Sequence, residues 1–265
     1  MTHRFALFVD GSNLFGSLKN MNVEVSDYEP FYRFIFDEGV RIWRESFNTV
    51  TPIPSQLRRV YWYVVGSIDQ WDLSNPKAQL HLHERFKADF VVRRTYLALA
   101  GPKFPSASQE KIEEEAWAMC FKEFQDWYEK KKEILDGMRT FHYSVRTNSD
   151  FIDINECGHW KVDFLHRSLT EKGLDTAIAV DMLAMQENYD VALVLSGDAD
   201  SIPSINYMKR RNKHVGAVEF LKGYPPEKRG RSFSSSLKLA ADFVVQIYEM
   251  DLVSKGIGLK PLAGA

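Results

Sequence analysis

The 265-residue chain has only two cysteines, Cys120 and Cys157, and no run of about 18 uninterrupted apolar residues. Two cysteines are too few for a disulfide framework. Cys157, His159 and His166 lack a fourth zinc ligand at a recognisable spacing, so a core or hairpin role is favoured. The N-terminal apolar run is interrupted by Asp10 and does not resemble a cleavable leader. We therefore expect a protein of a reducing compartment, in the cytoplasm and not in a membrane.

The chain also lacks an excess of charge of either sign. Lys and Arg total 34 and Asp and Glu total 36, which gives a net charge of −2. Hydrophobic residues make up 45% and aromatic residues 13%, which is typical of a globular chain and excludes a low-complexity one. Because the whole molecule is nearly neutral, any surface that attracts a polyanion must be local.

Short apolar runs that end in turns alternate with helical patterns along most of the sequence. Phe5 to Val9 and Asp190 to Leu195 are such runs, typical of strands buried on both faces. Strands separated by helices need crossover connections, so the pattern predicts an α/β fold with a mainly parallel sheet flanked by helices. The other expected strands are 59–65, 90–99, 140–145, 151–154, 161–165, 214–219 and 243–247, and the expected helices begin near Leu14, Ser26, Asn75, Asp175 and Ser201.

One long amphipathic helix is predicted from Ser108 to Asp136, because apolar residues recur at helical spacing and charged residues fill the opposite face. Pro105 precedes it and Gly137 is expected to end it. We interpret it as an insertion, at about residues 106–137, in a domain of residues 1–250 that is followed by a tail of residues 251–265. Its aromatic side chains favour a core, or contact with a second copy in a homodimer, over a base-stacking surface: Trp117, Phe121, Phe124 and Trp127.

Four carboxylates are expected at one edge of this sheet. Asp10 and Asp198 each follow a predicted strand, Asp200 comes two residues after Asp198, and Asp175 begins a helix after Gly173. The carboxyl ends of parallel strands open at the same edge, where ligand sites form. Asp181 is a weaker candidate, because six residues along a helix place it about 120° around from Asp175.

Carboxylates that converge repel each other unless a divalent cation neutralises them. Mg²⁺ and Mn²⁺ prefer oxygen ligands, so a carboxylate cluster without His or Cys is the composition expected for either ion. Each Asp taken alone is also typical of a turn or a helix cap. Taken together, at one sheet edge, the four residues favour a metal site.

Three segments resemble the motifs of the NYN domain, in the LabA/limkain branch of the PIN-like nucleases. The segments are VDGSN at 9–13, EKGLDTAIAVDML at 171–183 and LVLSGDADSIP at 193–203, and SSSLKLAADFVV at 234–245 resembles that branch's last helix and strand. The order and positions match, and the resemblance covers most of the chain except the long helix.

The resemblance implies a Rossmann-like PIN/NYN fold and metal-dependent hydrolysis of RNA phosphodiesters. It further implies that Asp10, Asp175 and Asp198 bind Mg²⁺ or Mn²⁺, that Asp200 is a supporting acid, and that Asn13 orients a ligand or water. The family often has an aromatic residue after the last acid, where this chain has Ser201-Ile202. That residue usually packs in the core, so the departure does not argue against catalysis.

Basic residues cluster in two places that could contact single-stranded or structured RNA. Tyr224 and Phe233 lie among the charges of the second cluster and could stack on bases. Cations at a helix C-terminus are also favoured by the helix dipole alone, so the first cluster has a structural alternative. The candidate nucleic-acid-binding residues are Lys209, Arg210, Arg211 and Lys213 in the first cluster and Lys228, Arg229 and Arg231 in the second.

Two further hypotheses come from other functional classes. A non-catalytic RNA-binding or regulatory protein could keep the same fold. A phosphatase on a related sheet could use one Asp as a covalent nucleophile. The phosphatase is disfavoured, because Ser12 stands where phosphatases of the haloacid dehalogenase type carry a second acid.

Overall fold

The structure is a computed structural model that describes residues 2–47, 54–225, 230 and 233–260. The chain forms two compact units. The first comprises Met1–Val65, Phe141–Gly158 and Gly173–Ala265, and the second comprises Gly66–Thr140 and His159–Lys172.

Helices and strands alternate along most of the chain. In order they are β1 (His3–Asp10), α1 (Gly11–Met21), β2 (Glu24–Val25), α2 (Tyr28–Ser46), β3 (Ser55–Ile68), α3 (Pro76–Ala88), α4 (Phe90–Ala100), α5 (Gln109–Asn148), β4 (Ile152–Asp163), β5 (Ser168–Lys172), α6 (Leu174–Ala184), β6 (Val191–Leu195), α7 (Ile202–Arg210), β7 (His214–Leu221), α8 (Ser235–Ala240), β8 (Phe243–Tyr248), α9 (Glu249–Ser254) and β9 (Gly258–Leu259). Short 3-10 turns cover Gly101–Lys103, Gln186–Asn188 and Ala199–Ser201.

The strands hydrogen-bond in the order β5-β4-β3-β1-β6-β7-β8, and β2 pairs separately with β9. The pairs β1–β3, β1–β6, β6–β7 and β7–β8 are parallel, whereas β4 and β5 are antiparallel. This confirms the predicted α/β fold with a mainly parallel sheet. The carboxyl ends of β1, β6 and β7 therefore share one edge of the sheet in the first unit.

Strand β1 is buried on both faces, as its continuous apolar run predicts. Phe5, Leu7 and Val9 face a core that also contains side chains of α1 and α2. Ala6 and Phe8 point the other way, into a core that they share with side chains of α6, α7 and α8. The helices thus cover both faces of the sheet in the first unit.

The second unit has its own core between α3, α4 and most of α5. Phe124 of α5 is 1% exposed and lies 5.8 Å from Phe164, ring centroid to ring centroid, and Trp117 lies 5.5 Å from Phe86. Cys120 is also buried in this unit. The aromatic side chains of α5 therefore pack within the unit, as the core interpretation of the stripe predicts.

Two expected strands are helices. The segment 90–99 is rich in β-branched and aromatic residues, yet it forms α4, because the Asp89 carboxylate caps the backbone N–H groups of Val91 and Val92. The segment 140–145 belongs to α5, which passes through Gly137 and continues to Asn148.

Other boundaries also differ from the expectation. The two short strands expected at 151–154 and 161–165 are one strand, β4, and β5 was not foreseen. The predicted helix from Ser26 begins at Tyr28, with Asp27 as its cap. Within the described part of the chain, none of the helices combines the length and the apolar character needed to cross a membrane.

Candidate functional site

Asp10 is the last residue of β1 and caps the first turn of α1. Its carboxylate is 3% exposed and accepts two hydrogen bonds from Asn13, one from the backbone N–H to Oδ1 at 2.9 Å and one from Nδ2 to Oδ2 at 2.6 Å. The turn needs Gly11, because a Cβ atom there would lie 2.8 Å from the backbone oxygen of Tyr63. The Asp-Gly-Ser-Asn sequence therefore fixes both the position and the orientation of the acid.

Asp198 and Asp200 lie on the turn that follows β6. The Asp198 carboxylate caps the 3-10 turn and accepts from the backbone N–H of Asp200 at 3.4 Å. The backbone N–H of Asp198 donates to Oγ of the buried Ser196 at 3.3 Å, and Oγ of Ser201 donates to the Asp198 carbonyl at 3.1 Å. Two serine side chains thus hold the loop that carries these acids.

Asp175 lies in the first turn of α6, after Gly173 in the left-handed conformation. Partial burial raises the pKa of Asp175, and the negative charges of Asp10, Asp198 and Asp200 raise it further. Because each of the other three acids acts on Asp175, the structure brings the four predicted carboxylates together at the edge where β1 and β6 end. The roles that the sequence assigns to them stay predictions.

The donor set of this cluster is all oxygen, which suits Mg²⁺ or Mn²⁺. A divalent cation would offset the repulsion that the neighbouring acids exert on the Asp175 carboxylate. In the described part of the chain, no group of three or more His, Cys, Asp or Glu side chains is arranged so that it could hold a metal ion. The chemistry of the residues fits such an ion, and the ligand geometry is not formed.

A small cavity of about 20 Å³ is lined by residues that neighbour two of the acids in sequence or by a hydrogen bond. This volume has room for about one water molecule. Its polar lining includes Asn13, which holds Asp10, and Gly197, which precedes Asp198; the other residues are Leu14, Ser17, Leu195, Ser196, Val218, Phe220 and Phe233. Sequence reasoning did not assign a role to Ser17 or Ser196. The position of Ser196 directly after β6 could have indicated that this residue lies at the site.

The first basic cluster lies at the C-terminal end of α7. This helix begins beside the acids and is nine residues long, so its basic end is about 13 Å along the helix from them. Lys209 donates to the carbonyl of Ala240 at 2.8 Å, Lys213 donates to that of Tyr189 at 2.8 Å, and Nε of Arg211 donates to the side chain of Gln186 at 3.1 Å. Arg210 is exposed.

The described residues place only the ends of the second basic segment. Leu221 of β7 pairs with Gly230, and the backbone N–H of Ser234 donates to the carbonyl of Gly197 at 3.1 Å. Lys228, Arg229 and Arg231 lie outside the described residues. The described residues on either side of the segment, Leu221 and Ser234, therefore lie at the edge of the sheet that carries the acids.

Other polar residues singled out in the sequence lie in hydrogen-bonded or stacked positions. Asp181 accepts from the hydroxyl of Tyr63 at 2.9 Å. In the second unit, His159 is linked to Ser67 through Nδ1 at 2.9 Å and to Asp69 through Nε2 at 2.7 Å. His166 is linked to Asp163 at 2.8 Å, and the His83 ring stacks on Trp117. His159 lies in β4, which pairs with β5.

Comparison with known proteins gives a family for the chain. No curated protein sequence matches it significantly. Among solved structures, a protein of unknown function from Vibrio parahaemolyticus is similar, with 15% sequence identity and a TM-score of 0.42 over 92% of this chain and 93% of that one. The family model described as the NYN domain matches residues 4–248. Since this match spans nearly the whole chain and includes all four acids, the chain belongs to the NYN domain family.

Proposed function

We propose that the protein is a metal-dependent ribonuclease that hydrolyses RNA phosphodiester bonds. The observation that carries the proposal is the position of four acids, Asp10, Asp175, Asp198 and Asp200, at the edge of the sheet where β1 and β6 end. Membership of the NYN domain family, whose members are generally nuclease-like, supports it. The LabA/limkain branch, a cytoplasmic location and a homodimer stay predictions.

Asp10, Asp175 and Asp198 are the residues that would hold Mg²⁺ or Mn²⁺. When bound, the ion would supply positive charge to the phosphate oxygens and lower the pKa of a water molecule. Asn13 fixes the orientation of the Asp10 carboxylate through the two hydrogen bonds described above. Ser196 and Ser201 fix the turn that carries Asp198. The chain therefore fixes the carboxylate of Asp10 and the backbone of the turn that carries Asp198.

The proposed reaction is a displacement at phosphorus by water. The water oxygen forms a bond to phosphorus, one ester P–O bond breaks, and the leaving oxygen takes up a proton from the solvent. The water's own proton passes to a carboxylate of the site. Asp200 is the candidate for this proton, because it is the acid of the cluster that is not assigned to the ion.

Cleavage of labelled single-stranded and hairpin RNAs tests the proposal. We expect cutting by the wild type with Mn²⁺ or Mg²⁺, none with chelator, and a loss of at least about a hundredfold in Asp10→Asn and Asp198→Asn. Asp181→Asn is the matched control, since Asp181 lies on α6 but bonds to Tyr63. Thermal unfolding of each variant checks the fold. Full activity in Asp198→Asn would show that Asp198 is not part of the catalytic site.

A non-catalytic RNA-binding protein is the second candidate. The observation that favours it is the basic cluster at the end of α7, where the exposed Arg210 could contact a phosphate. Its signature is salt-sensitive RNA binding without cleavage, unchanged in Asp10→Asn and Asp198→Asn. The same RNAs and variants, measured for binding as well as for cutting, separate the two functions.

A further inference from the structure

The outer face of α4, in the second unit, carries large apolar side chains that are exposed to water. Phe90 is 72% exposed, Val91 is 71% exposed and Leu99 is 47% exposed. Val91 and Leu99 are about two helical turns apart and lie on the same face, where Ala98 is also exposed. Single exposed apolar side chains are ordinary, but a continuous apolar helix face of this kind indicates an interaction surface.

The opposite face of α4 is fixed inside the second unit. Tyr96 is buried and donates its hydroxyl to Oε2 of Glu123 on α5 at 2.7 Å, and Ala100 is fully buried. At the edge of the helix, Nη2 of Arg93 donates to Oε1 of Glu113 on α5 at 2.5 Å. Contacts on the inner side therefore hold the apolar face of α4 outward.

Opposite charges adjoin this apolar face. The sequence of α4 has no acidic residue, and its outer face presents the exposed Arg94. In contrast, α5 begins with four glutamates among its first seven residues. Two of them, Glu110 and Glu114, are exposed and lie on the same side of α5 as Glu113, which contacts Arg93. A basic and apolar helix face thus lies next to an acidic helix end.

The two charges side by side indicate what kind of partner the face fits. An RNA strand or an anionic membrane would be attracted by Arg94 but repelled by the neighbouring Glu110 and Glu114. A second copy of the chain supplies both charges at once, because each copy in a two-fold contact offers the same patch to the other. Charge complementarity therefore favours self-association.

We propose that the outer face of α4 is the contact surface of a homodimer whose two-fold axis passes near Thr95. Val91 and Leu99 lie four residues before and after Thr95, so Val91 of one copy packs on Leu99 of the other when the two α4 helices run antiparallel. Arg94 of each copy then pairs with the acidic start of α5 in the other. The hydroxyl of Thr95 donates to the carbonyl of Val91 at 2.9 Å, so it stays hydrogen-bonded when the axis is buried.

The oligomeric state of the full chain tests this proposal. Sedimentation equilibrium across a dilution series is expected to give the wild type twice the 30.6 kDa mass of one chain. Val91→Asp buries an unpaired charge in the apolar contact and is expected to weaken the dimer at least about a hundredfold. Val180→Asp is the matched control, because Val180 is 57% exposed on α6 in the first unit, and it should leave the dimer unchanged.

Charge reversal tests the pairing of α4 with α5. Arg94→Glu reverses one side of the charged contact, and Glu110→Lys/Glu114→Lys reverses the other. Each protein alone is expected to dimerise at least about tenfold more weakly than the wild type, because like charges then face each other. An equal mixture of the two is expected to form a heterodimer, since each reversed side meets its opposite again. Thermal unfolding checks the fold of each protein, and recovery in the mixture excludes misfolding as the cause of the loss.

A wild-type mass of one chain at every concentration would overturn the proposal. Equal loss of the dimer in Val91→Asp and Val180→Asp, or a mixture that stays monomeric, would also overturn it. Fluorescence anisotropy with a labelled RNA and flotation with phosphatidylglycerol vesicles test the other occupants. A monomeric wild type that binds one of them, and loses that binding in Arg94→Glu, would assign the face to that ligand instead. None of these variants changes the four acids, so the dimer and the nuclease can fail independently.

Discussion

Asn13 donates two hydrogen bonds to the carboxylate of Asp10, one to each oxygen, at 2.9 and 2.6 Å. The backbone bond is an ordinary helix cap, but the side-chain bond adds nothing to the start of α1. It fixes the rotation of a buried carboxylate at the edge of the sheet. An Asn three residues after the Asp is thus part of the site because it holds the acid.

Asn13→Ala tests this positioning role. The variant keeps the backbone cap and loses one side-chain hydrogen bond, so we expect the free energy of unfolding to fall by about 1 kcal/mol. Partners that orient a metal-binding group typically affect metal affinity or activity by about 10- to 100-fold. We therefore expect metal-dependent cleavage to need more Mn²⁺ and to slow within that range. Asn20→Ala, on the same helix, is the control and should change neither quantity.

Asp175 should make the metal-free protein less stable at neutral pH. Its pKa in the fold is raised, so folding favours the protonated form over the carboxylate. The protonated Asp175 favours the fold, and this stabilisation is fully present below the unfolded pKa of about 4. It is lost as the pH rises through the raised pKa, where Asp175 becomes a carboxylate. We expect Asp175→Asn to be more stable than the wild type at pH 7 and equal to it at pH 3.

Urea unfolding in chelator at both pH values measures this difference. Asp181→Asn provides the comparison, because Asp181 accepts a hydrogen bond from Tyr63 and is not among the acids that act on Asp175. A variant Asp175→Asn that is less stable than the wild type at pH 7 would show that the carboxylate is not repelled by its neighbours.

The central strands and the acidic edge could be predicted from the sequence because each depends on local pattern. The run from Phe5 to Val9 is apolar at every position, which a strand covered on both faces requires. Asp10 and Asp198 follow such strands directly. Once the sheet is parallel, its topology alone brings them to one edge. The prediction that Asp175 lies at this edge needed one more assumption, namely that its helix leads into β6. The order of the elements agrees with this assumption, because α6 is followed by β6.

The second unit was harder to predict because packing overrides local preference there. The segment that forms α4 has the composition of a strand, and only the cap at Asp89 signals a helix. Gly137 costs a helix about 1 kcal/mol relative to Ala, but buried residues at helical spacing on both sides of it, from Leu135 to Val145, keep α5 continuous. The cap at Asp89 is visible in the sequence but was outweighed by composition, whereas the burial that keeps α5 continuous is seen only in the structure.

The pair Arg4–Asp190 is expected to govern resistance to acid. Arg4 donates from its backbone N–H, Nε and Nη2 to the Asp190 carboxylate at 2.8–3.0 Å, and these bonds lower the pKa of Asp190 to about 2. A lowered pKa stabilises the fold above the unfolded value of about 3.9, and that stability is lost as pH falls toward 2. Arg4→Gln should therefore lose stability at pH 5 and differ less from the wild type at pH 2.

Thermal unfolding across this pH range is the measurement for Arg4→Gln. Arg41→Gln is a suitable comparison, because Arg41 forms exposed ion pairs with Glu38 and Glu45 on α2, which give little stability. A loss of stability in Arg4→Gln that is the same at pH 5 and pH 2 would mean that the packing of the Arg4 side chain matters and its charge does not.

Lys209 and Arg210 are neighbours in the first basic cluster, but they should differ in their effect on stability. Nζ of Lys209 donates to the carbonyl of Ala240 at 2.8 Å and lies 3.0 Å from Oδ1 of Asp242, so it connects the end of α7 to the start of β8. Arg210 is exposed. We expect Lys209→Met to lower the free energy of unfolding by about 1–2 kcal/mol, because a charged hydrogen bond is lost while the aliphatic stem remains. Arg210→Met should stay within about 0.5 kcal/mol of the wild type.

Urea unfolding of the two variants measures this difference. Equal losses in the two variants would mean that the helix dipole, which both cations complement, contributes more to stability than the contacts of Lys209.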